Sequence, residues 1–289
     1  MEISGKTRIC GVIGDPIEHT LSPVMHNAAF KHLGLDFAYL AFRVKKTELK
    51  NAIKGMRSLG IHGLNVTMPH KVEVIKYLDD VDSAVNFIGA ANTILNDAGK
   101  LLGFNTDGIG AIRALEENAV KIDGKRMLLL GAGGAAKAIA FSAAEYLDEL
   151  VILNRNFGKA KRIAEILRRN FNKKIIADAL SQNNIKEHLK NSDILINATP
   201  VGMHPNENQS LVAMEWLRPD IYVMDIIYDP VETKLLKDAK KVGAKVISGI
   251  EMLIHQGAAS FEIWTGRQAP IKIMKEAVLR KLREENSNC

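Results

Sequence analysis

Short apolar runs alternate with amphipathic segments along most of this chain, and that alternation predicts strands and helices in turn. Thr7–Gly14 is an apolar run of strand length; Phe37–Val44 and Gly63–Thr67 are two more. Between the first two, Met25, Ala28, Ala29 and Leu33 form a helical stripe behind Ser22-Pro23, and Gly34 ends it. Serine suits an N-cap, proline the first helical position and glycine the C-terminal stop. A second helix is expected over Thr47–Leu59, with Leu49, Ile53 and Met56 inward, and a third from Pro69. Asn92–Asn96 and Leu101–Thr106 flank the turn-forming Asn-Asp-Ala-Gly and predict a hairpin, followed by a helix over Gly108–Asn118.

The second half repeats the pattern more cleanly. Strands are expected at Arg126–Leu130, Leu150–Asn154, Lys174–Ala177, Asp193–Asn197, Tyr222–Ile226 and Lys245–Ile247, with helices starting near Gly134, Gly158, Ile185 and Glu232. Such alternation implies a parallel sheet covered by helices on both faces. Ile250–Trp264 and Pro270–Glu285 are two helical segments with no strand between them, so they cannot extend the sheet and are expected to pack back on the first domain.

The first of these second-half strands ends in Gly131-Ala132-Gly133-Gly134-Ala135-Ala136 and runs into helix-forming sequence. This is the G-x-G-x-x-A spacing of a dinucleotide-binding turn: glycines let the backbone approach a pyrophosphate, and a helix N-terminus offers it N–H groups. The predicted fold class is therefore α/β with two domains. Residues 1–108 form an α/β substrate-binding domain completed by C-terminal helices 250–289, and residues 109–249 form a Rossmann-type doubly wound parallel sheet that binds the cofactor.

In such folds an acid about 20 residues past the glycines accepts the ribose hydroxyls of NAD. Here Asn154-Arg155-Asn156 fills that place. An arginine fork holds a 2′-phosphate that an acid would repel, so the cofactor expected is NADP, with Lys159 one helical turn further on as a second positive charge. The stretch from Arg155 to Lys174 is otherwise a solvated helix face over a stripe of Ala160, Ile163, Ala164 and Leu167. Thr199-Pro-Val-Gly-Met203 follows the strand Asp193–Asn197, at the carboxyl end of the sheet where ligands of open α/β folds bind.

Composition removes several classes of function. The formal charge is +6 and aromatics are 6%, without the basic–aromatic interleaving that stacks bases, so nucleic acid is not expected. No apolar run reaches the ~18–20 residues of a membrane span, and the N-terminus has no apolar signal core. Cys10 and Cys289 are the only cysteines, so neither a disulfide framework nor a cysteine metal site is expected. These readings favour a cytoplasmic protein with a small-molecule ligand, no membrane, no metal and a homodimer as an admissible assembly.

Three polar clusters close first-half strands: His19-Thr20-Leu-Ser22-Pro23, then Asn65-Val-Thr67-Met-Pro69-His-Lys71, then Asn92-Thr93 with Asn105-Thr106-Asp107-Gly108. Hydroxyls and amides suit a polyhydroxylated ligand or a carboxylate. Lys71 and Asp107 are the groups able to exchange or tune a proton, which reduction of a ketone requires. On the residues alone the plainer readings stand beside these: Ser22 as a helix cap, Lys71 as a solvated first-turn lysine, Asp107 as a cap of the next helix.

These motifs resemble the shikimate dehydrogenase family, in the family's order and over nearly the full length. The resemblance runs from Gly11-Val-Ile-Gly-Asp-Pro-Ile-Glu-His-Thr-Leu-Ser-Pro-Val-Met-His through Asn65–Lys71, Gly89–Thr93 and Gly103–Gly108 to Gly131–Ala136, Asn154-Arg155, Asn197–Met203 and Met252-Leu-Ile-His-Gln-Gly257. It implies reversible NADPH-dependent reduction of 3-dehydroshikimate to shikimate in aromatic amino acid synthesis. It further implies Lys71 as catalytic lysine with Asp107 as its carboxylate partner, and Ser22 as a ligand of the substrate carboxylate. Asn65, Thr67, Asn92 and Gln256 would contact ring hydroxyls, and Thr20 stands where many members have serine. Gly131, Ala132, Gly133, Gly134, Ala135, Ala136, Asn154, Arg155, Asn156, Lys159, Thr199 and Met203 would contact the cofactor. Tyr228 matches a substrate position and Gly249 one near the nicotinamide. Rival readings are a quinate/shikimate dehydrogenase using NAD or NADP, a two-domain enzyme like methylene-tetrahydrofolate dehydrogenase, and a nucleotide sensor without turnover.

Overall fold

The computed structural model describes residues 3–287; Cys289 lies outside them. The chain separates into two compact units, residues 1–106 with 254–289, and residues 107–253.

In the first unit β1 (Arg8–Gly14), α1 (Ser22–His32), β2 (Phe37–Arg43), α2 (Leu49–Ser58), β3 (Gly63–Val66), β4 (Asp80–Val81), α3 (Ser83–Ile88), β5 (Thr93–Asp97) and β6 (Lys100–Phe104) follow one another. Their sheet has the order β2-β1-β3-β5-β6-β4. β1, β2 and β3 run parallel, whereas β5 pairs antiparallel with both β3 and β6. The hairpin turns through Ala98 and Gly99, both at positive φ (49° and 94°), as a tight two-residue connection demands. Leu49, Ile53 and Met56 of α2 pack with Ile13, Leu64, Val66, Ile94 and Leu101 in one buried cluster.

The local structure departs from the sequence pattern at three places. No α-helix begins at Pro69; residues 68–72 are turns and Glu73–Tyr77 is a short 3-10 helix. The backbone is committed elsewhere: the Lys71 carbonyl accepts the Ala91 amide (2.8 Å), and the buried His70 ring bonds the Val44 carbonyl (2.6 Å). Second, Ser22 does not cap α1. The cap position is Leu21 and Ser22 is the first helical residue, its amide donating to Thr20 Oγ1 (3.3 Å). Third, β4 and α3 escaped the sequence pattern. α3 is held by Asp82, whose carboxylate accepts the Val85 amide (2.7 Å), and ends at Gly89 with φ 70°.

The second unit holds α4 (Asp107–Glu117), β7 (Arg126–Leu130), α5 (Gly134–Ala144), β8 (Glu149–Asn154), α6 (Phe157–Asn170), β9 (Lys174–Ala179), α7 (Gln182–Leu189), β10 (Ile194–Asn197), β11 (Tyr222–Asp225), α8 (Lys234–Lys241) and β12 (Lys245–Ile247). Its six strands are all parallel, in the order β12-β11-β10-β7-β8-β9. The chain builds outward from β7 in both directions, so the switch point lies between β7 and β10. Leu128, Leu130, Val151, Leu153, Leu195 and Val223 are buried against Ile185, Leu189, Leu235 and Leu236. Gly108 lets α4 meet α5: a Cβ there would collide with the Ala138 carbonyl and the Ser142 hydroxyl.

α9 (Gly249–Thr265) and α10 (Ile271–Ser287) close the chain. The C-terminal part of α9 belongs to the first unit, where Trp264 Nε1 donates to the Ile94 carbonyl (3.0 Å) and the His62 ring bonds the Trp264 carbonyl (2.7 Å). Gly63 is obligatory beneath it, because a side chain would enter the Trp264 indole. α10 lies along α1. Among the described residues no helix is long and apolar enough to cross a membrane.

Candidate active site

The first unit gathers the predicted polar residues around the carboxyl ends of β1 and β3 and the start of β5. Asn65 is buried and its amide is used within the protein: Oδ1 accepts the Tyr39 hydroxyl (2.7 Å), while Nδ2 donates to Ser260 Oγ (2.9 Å), Thr93 Oγ1 (3.1 Å) and the Asn92 carbonyl (3.2 Å). Asn92, also buried, donates to Thr106 Oγ1 (3.0 Å) and accepts the Thr106 amide (2.8 Å). Ser22 is buried, its hydroxyl accepting from the Thr20 hydroxyl (3.3 Å). Thr67, half-buried, stands at the end of β3, its amide on the Ile13 carbonyl (3.0 Å). Lys71 is half-buried on the turn beyond it. Gln256, half-buried on α9, has its carbonyl bonded by Ser260 (3.1 Å).

Burial keeps the interior of this cluster neutral. It lowers the His26 pKa to about 3 and raises that of Tyr39 well above its ordinary value, and the two rings stack at 4.4 Å. Tyr39 and Ser260 escaped the sequence reading. Tyr39 sat unremarked in the apolar alternation of β2. Ser260 had a usable signal, since it lies one helical turn from Gln256 on the same face of α9.

The second unit presents its ligand features at the carboxyl ends of β7, β8, β10 and β11. Gly131 has φ 116°, and a Cβ there would lie 2.6 Å from the Ala198 carbonyl. Gly133, the cap residue of α5, and Gly134, its first residue, are exposed, and a Cβ on either meets nothing within 4 Å. Ala132 and Ala136 are buried and Ala135 is half-buried on the same turn. An anion at this helix start would meet backbone N–H groups and no side chain, so the residues present fit a dinucleotide pyrophosphate.

Arg155 and Lys159 are exposed beyond β8, free of acidic neighbours in sequence. Asn156 caps α6, accepting the Lys159 amide (3.3 Å), and Asn154 donates to the Asn156 carbonyl (2.9 Å). Thr199 is fixed through its amide (3.1 Å) and hydroxyl (2.7 Å) on Asn197 Oδ1. Met203 and Tyr228 are exposed. Partial burial, and then the adjacent Asp229 carboxylate, raise the Tyr228 pKa, so its phenol stays protonated. Gly249 has a steric reason of its own, because a Cβ there would strike the Ile226 and Ile227 carbonyls. Asp107 is buried in the first turn of α4, directly after the Thr106 that Asn92 holds.

Comparison with known proteins matches these two halves separately and together. Residues 12–94 match the family model described as shikimate dehydrogenase substrate binding domain, and residues 113–227 that of shikimate / quinate 5-dehydrogenase. Residues 249–279 match the shikimate 5'-dehydrogenase C-terminal domain. The NADP(+) shikimate dehydrogenase of Methanocaldococcus jannaschii is 48% identical over 97% of this chain and 99% of its own length. A crystal structure of a shikimate dehydrogenase in complex with NADP+ superposes with TM-score 0.90 at 48% identity, covering 97% of each chain. The Listeria monocytogenes shikimate 5-dehydrogenase, solved in complex with shikimate and NAD, superposes with TM-score 0.91 at 41% identity over 96% of this chain and 98% of that one.

Proposed function

The chain belongs to the shikimate dehydrogenase family, and from that premise we propose that it catalyses the reversible NADPH-dependent reduction of 3-dehydroshikimate to shikimate in aromatic amino acid biosynthesis. The observation that carries this reading is the full-length kinship together with a hydroxyl- and amide-rich cluster that ends in Lys71. The nicotinamide, when bound, exchanges a hydride with the ring carbon. Lys71 gives a proton to the carbonyl oxygen on reduction and takes it back on oxidation, and Asp107 holds the ammonium and a ring hydroxyl. Ser22 and Thr20 receive the substrate carboxylate. Thr67, Asn65, Asn92 and Gln256 are assigned to the ring hydroxyls and Tyr228 to the substrate. The glycine turn of residues 131–136 takes the pyrophosphate; Asn154, Arg155, Asn156 and Lys159 take the 2′-phosphate end; Thr199, Met203 and Gly249 border the nicotinamide. We assign the enzyme to the cytoplasm, with a homodimer, read by sedimentation, as its admissible assembly. Following the absorbance of the reduced nicotinamide with shikimate and quinate, each with NADP and NAD, tests the assignment. Turnover of quinate with NAD at rates equal to shikimate with NADP would replace it by the dual-specificity reading.

Two variants separate the ligand roles. Arg155→Ala should raise the KM for NADP about tenfold or more while barely changing that for NAD, since a lost charge-assisted hydrogen bond is worth roughly 1.5–3 kcal/mol. Equal loss for both cofactors would make Arg155 structural. Ser22→Ala should raise the KM for shikimate and leave NADP binding nearly intact; any loss of stability should come from the buried hydroxyl's contact with Thr20, because the side chain caps nothing in α1. A destabilisation of about 1 kcal/mol without a KM effect would restore the capping role.

A further inference from the structure

The carboxylate of Asp225 is fully buried at the end of β11, inside the second unit, and no ligand role touches it. Burial raises its pKa, a cost that hydrogen bonds from three donors offset. Oδ1 accepts Asn197 Nδ2 (3.1 Å) and the Ile227 amide (3.1 Å), and Oδ2 accepts the Thr233 hydroxyl (2.8 Å). The donors come from different places: Asn197 ends β10, Ile227 lies two residues beyond the end of β11, and Thr233 caps α8.

Asn197 passes the constraint on. With its Nδ2 held by Asp225 and by the Val201 carbonyl (3.2 Å), its Oδ1 is turned to receive both the amide and the hydroxyl of Thr199. Thr199 Oγ1 in turn accepts the Val201 amide (3.3 Å). On one side this loop lies against the glycine turn, where the Ala198 carbonyl leaves no room for a side chain on Gly131. On the other, Gly202 (φ 103°) brings it beside Thr233 and Ile227. We propose that Asp225 is a positioning residue for the cofactor: through Asn197 it fixes the loop of residues 197–203, and with it Thr199, against the glycine turn that receives the pyrophosphate. Asp225 touches neither ligand. A flipped Asn197 amide would offer Thr199 two donors in place of an acceptor, and the carboxylate, with the Val201 carbonyl, sets which way the amide faces.

This rests on the proposed cofactor role of Thr199, and the experiment separates the two. The full-length enzyme carries Asp225→Ala, Asp225→Asn, Asn197→Ala or Thr199→Ala. NADPH affinity is read by fluorescence titration without substrate, folding by circular dichroism, and KM for each substrate by steady-state kinetics. Asp225→Ala and Asn197→Ala should weaken NADPH binding about tenfold, as expected for buried donors left unpaired, with the shikimate KM within about twofold. Asp225→Asn keeps an oxygen for Asn197 and Ile227 and can donate to the Thr233 hydroxyl, so it should retain most of the affinity. If Asp225→Ala does not fold, Asn197→Ala cuts the same link while leaving Asp225 its other two donors and decides the matter. NADPH binding unchanged in the alanine variants, with Thr199→Ala impaired, overturns the proposal and leaves the cofactor role of Thr199 standing. Normal binding by Thr199→Ala removes that role and the proposal with it. A parallel rise in the shikimate KM, or an asparagine variant as weak as alanine, also overturns it.

Discussion

Lys71→Ala should yield a folded protein whose turnover falls by about 10²–10⁴-fold, the usual worth of a positioned acid–base group. The fold should survive because the structure uses the backbone of this residue. The Lys71 carbonyl accepts the Ala91 amide, and the turn is further anchored by the buried ring of His70; neither needs the lysine side chain. NADPH binding should be unchanged, since every proposed cofactor contact lies in the other unit. The sharper measurement is the pH dependence of kcat for shikimate oxidation. A lysine that must accept a proton works only when deprotonated, so the wild-type rate should rise with pH, and that limb should vanish in Lys71→Ala. Asp107→Asn should also slow turnover, with a larger effect on shikimate KM, because the role proposed for its carboxylate includes a ring hydroxyl. An alanine variant with near-normal turnover and an unchanged profile would take Lys71 out of the chemistry.

The turn that carries Lys71 also shows where sequence pattern stops being informative. Pro69 followed by His-Lys-Val-Glu-Val reads as a helix start, yet the Lys71 carbonyl, which a helix would pair with the amide four residues on, is claimed by a residue 20 positions later. Non-local pairing overrides local propensity in such cases. The second unit was far more legible, because a buried parallel strand is apolar at every position and each of its helices carries a continuous stripe. The first sheet is mixed, and the two-residue β4 leaves almost no pattern. At the site, sequence motifs located the chemistry but not its wiring. Asn65 and Asn92 were legible as polar residues at strand ends. That Tyr39 and Asp225 hold their neighbours was not, since each sits singly in an apolar run and takes side-chain partners 26 and 28 residues away.

The glycine turn allows a prediction that separates what the protein needs from what the cofactor needs. Gly133→Ala should fold as stably as the wild type and lose about tenfold or more in NADP(H) affinity. Gly133 has φ −80° and ψ −172°, open to any residue, and an added Cβ meets no protein atom within 4 Å. The apo fold therefore gives no reason for glycine there. A pyrophosphate drawn against the α5 N-terminus does, because a methyl group would stand between the phosphate and the backbone; overpacking of this kind costs about 1–3 kcal/mol, and 1.4 kcal/mol is already tenfold. Gly131→Ala should behave differently. Its φ of 116° and the Ala198 carbonyl 2.6 Å from the new Cβ are obstacles within the protein, so stability and cofactor affinity should fall together. Melting temperatures and NADPH titrations of the two variants decide between the readings. If Gly133→Ala binds NADPH as tightly as the wild type, the pyrophosphate does not lie on this turn, whatever happens at Gly131.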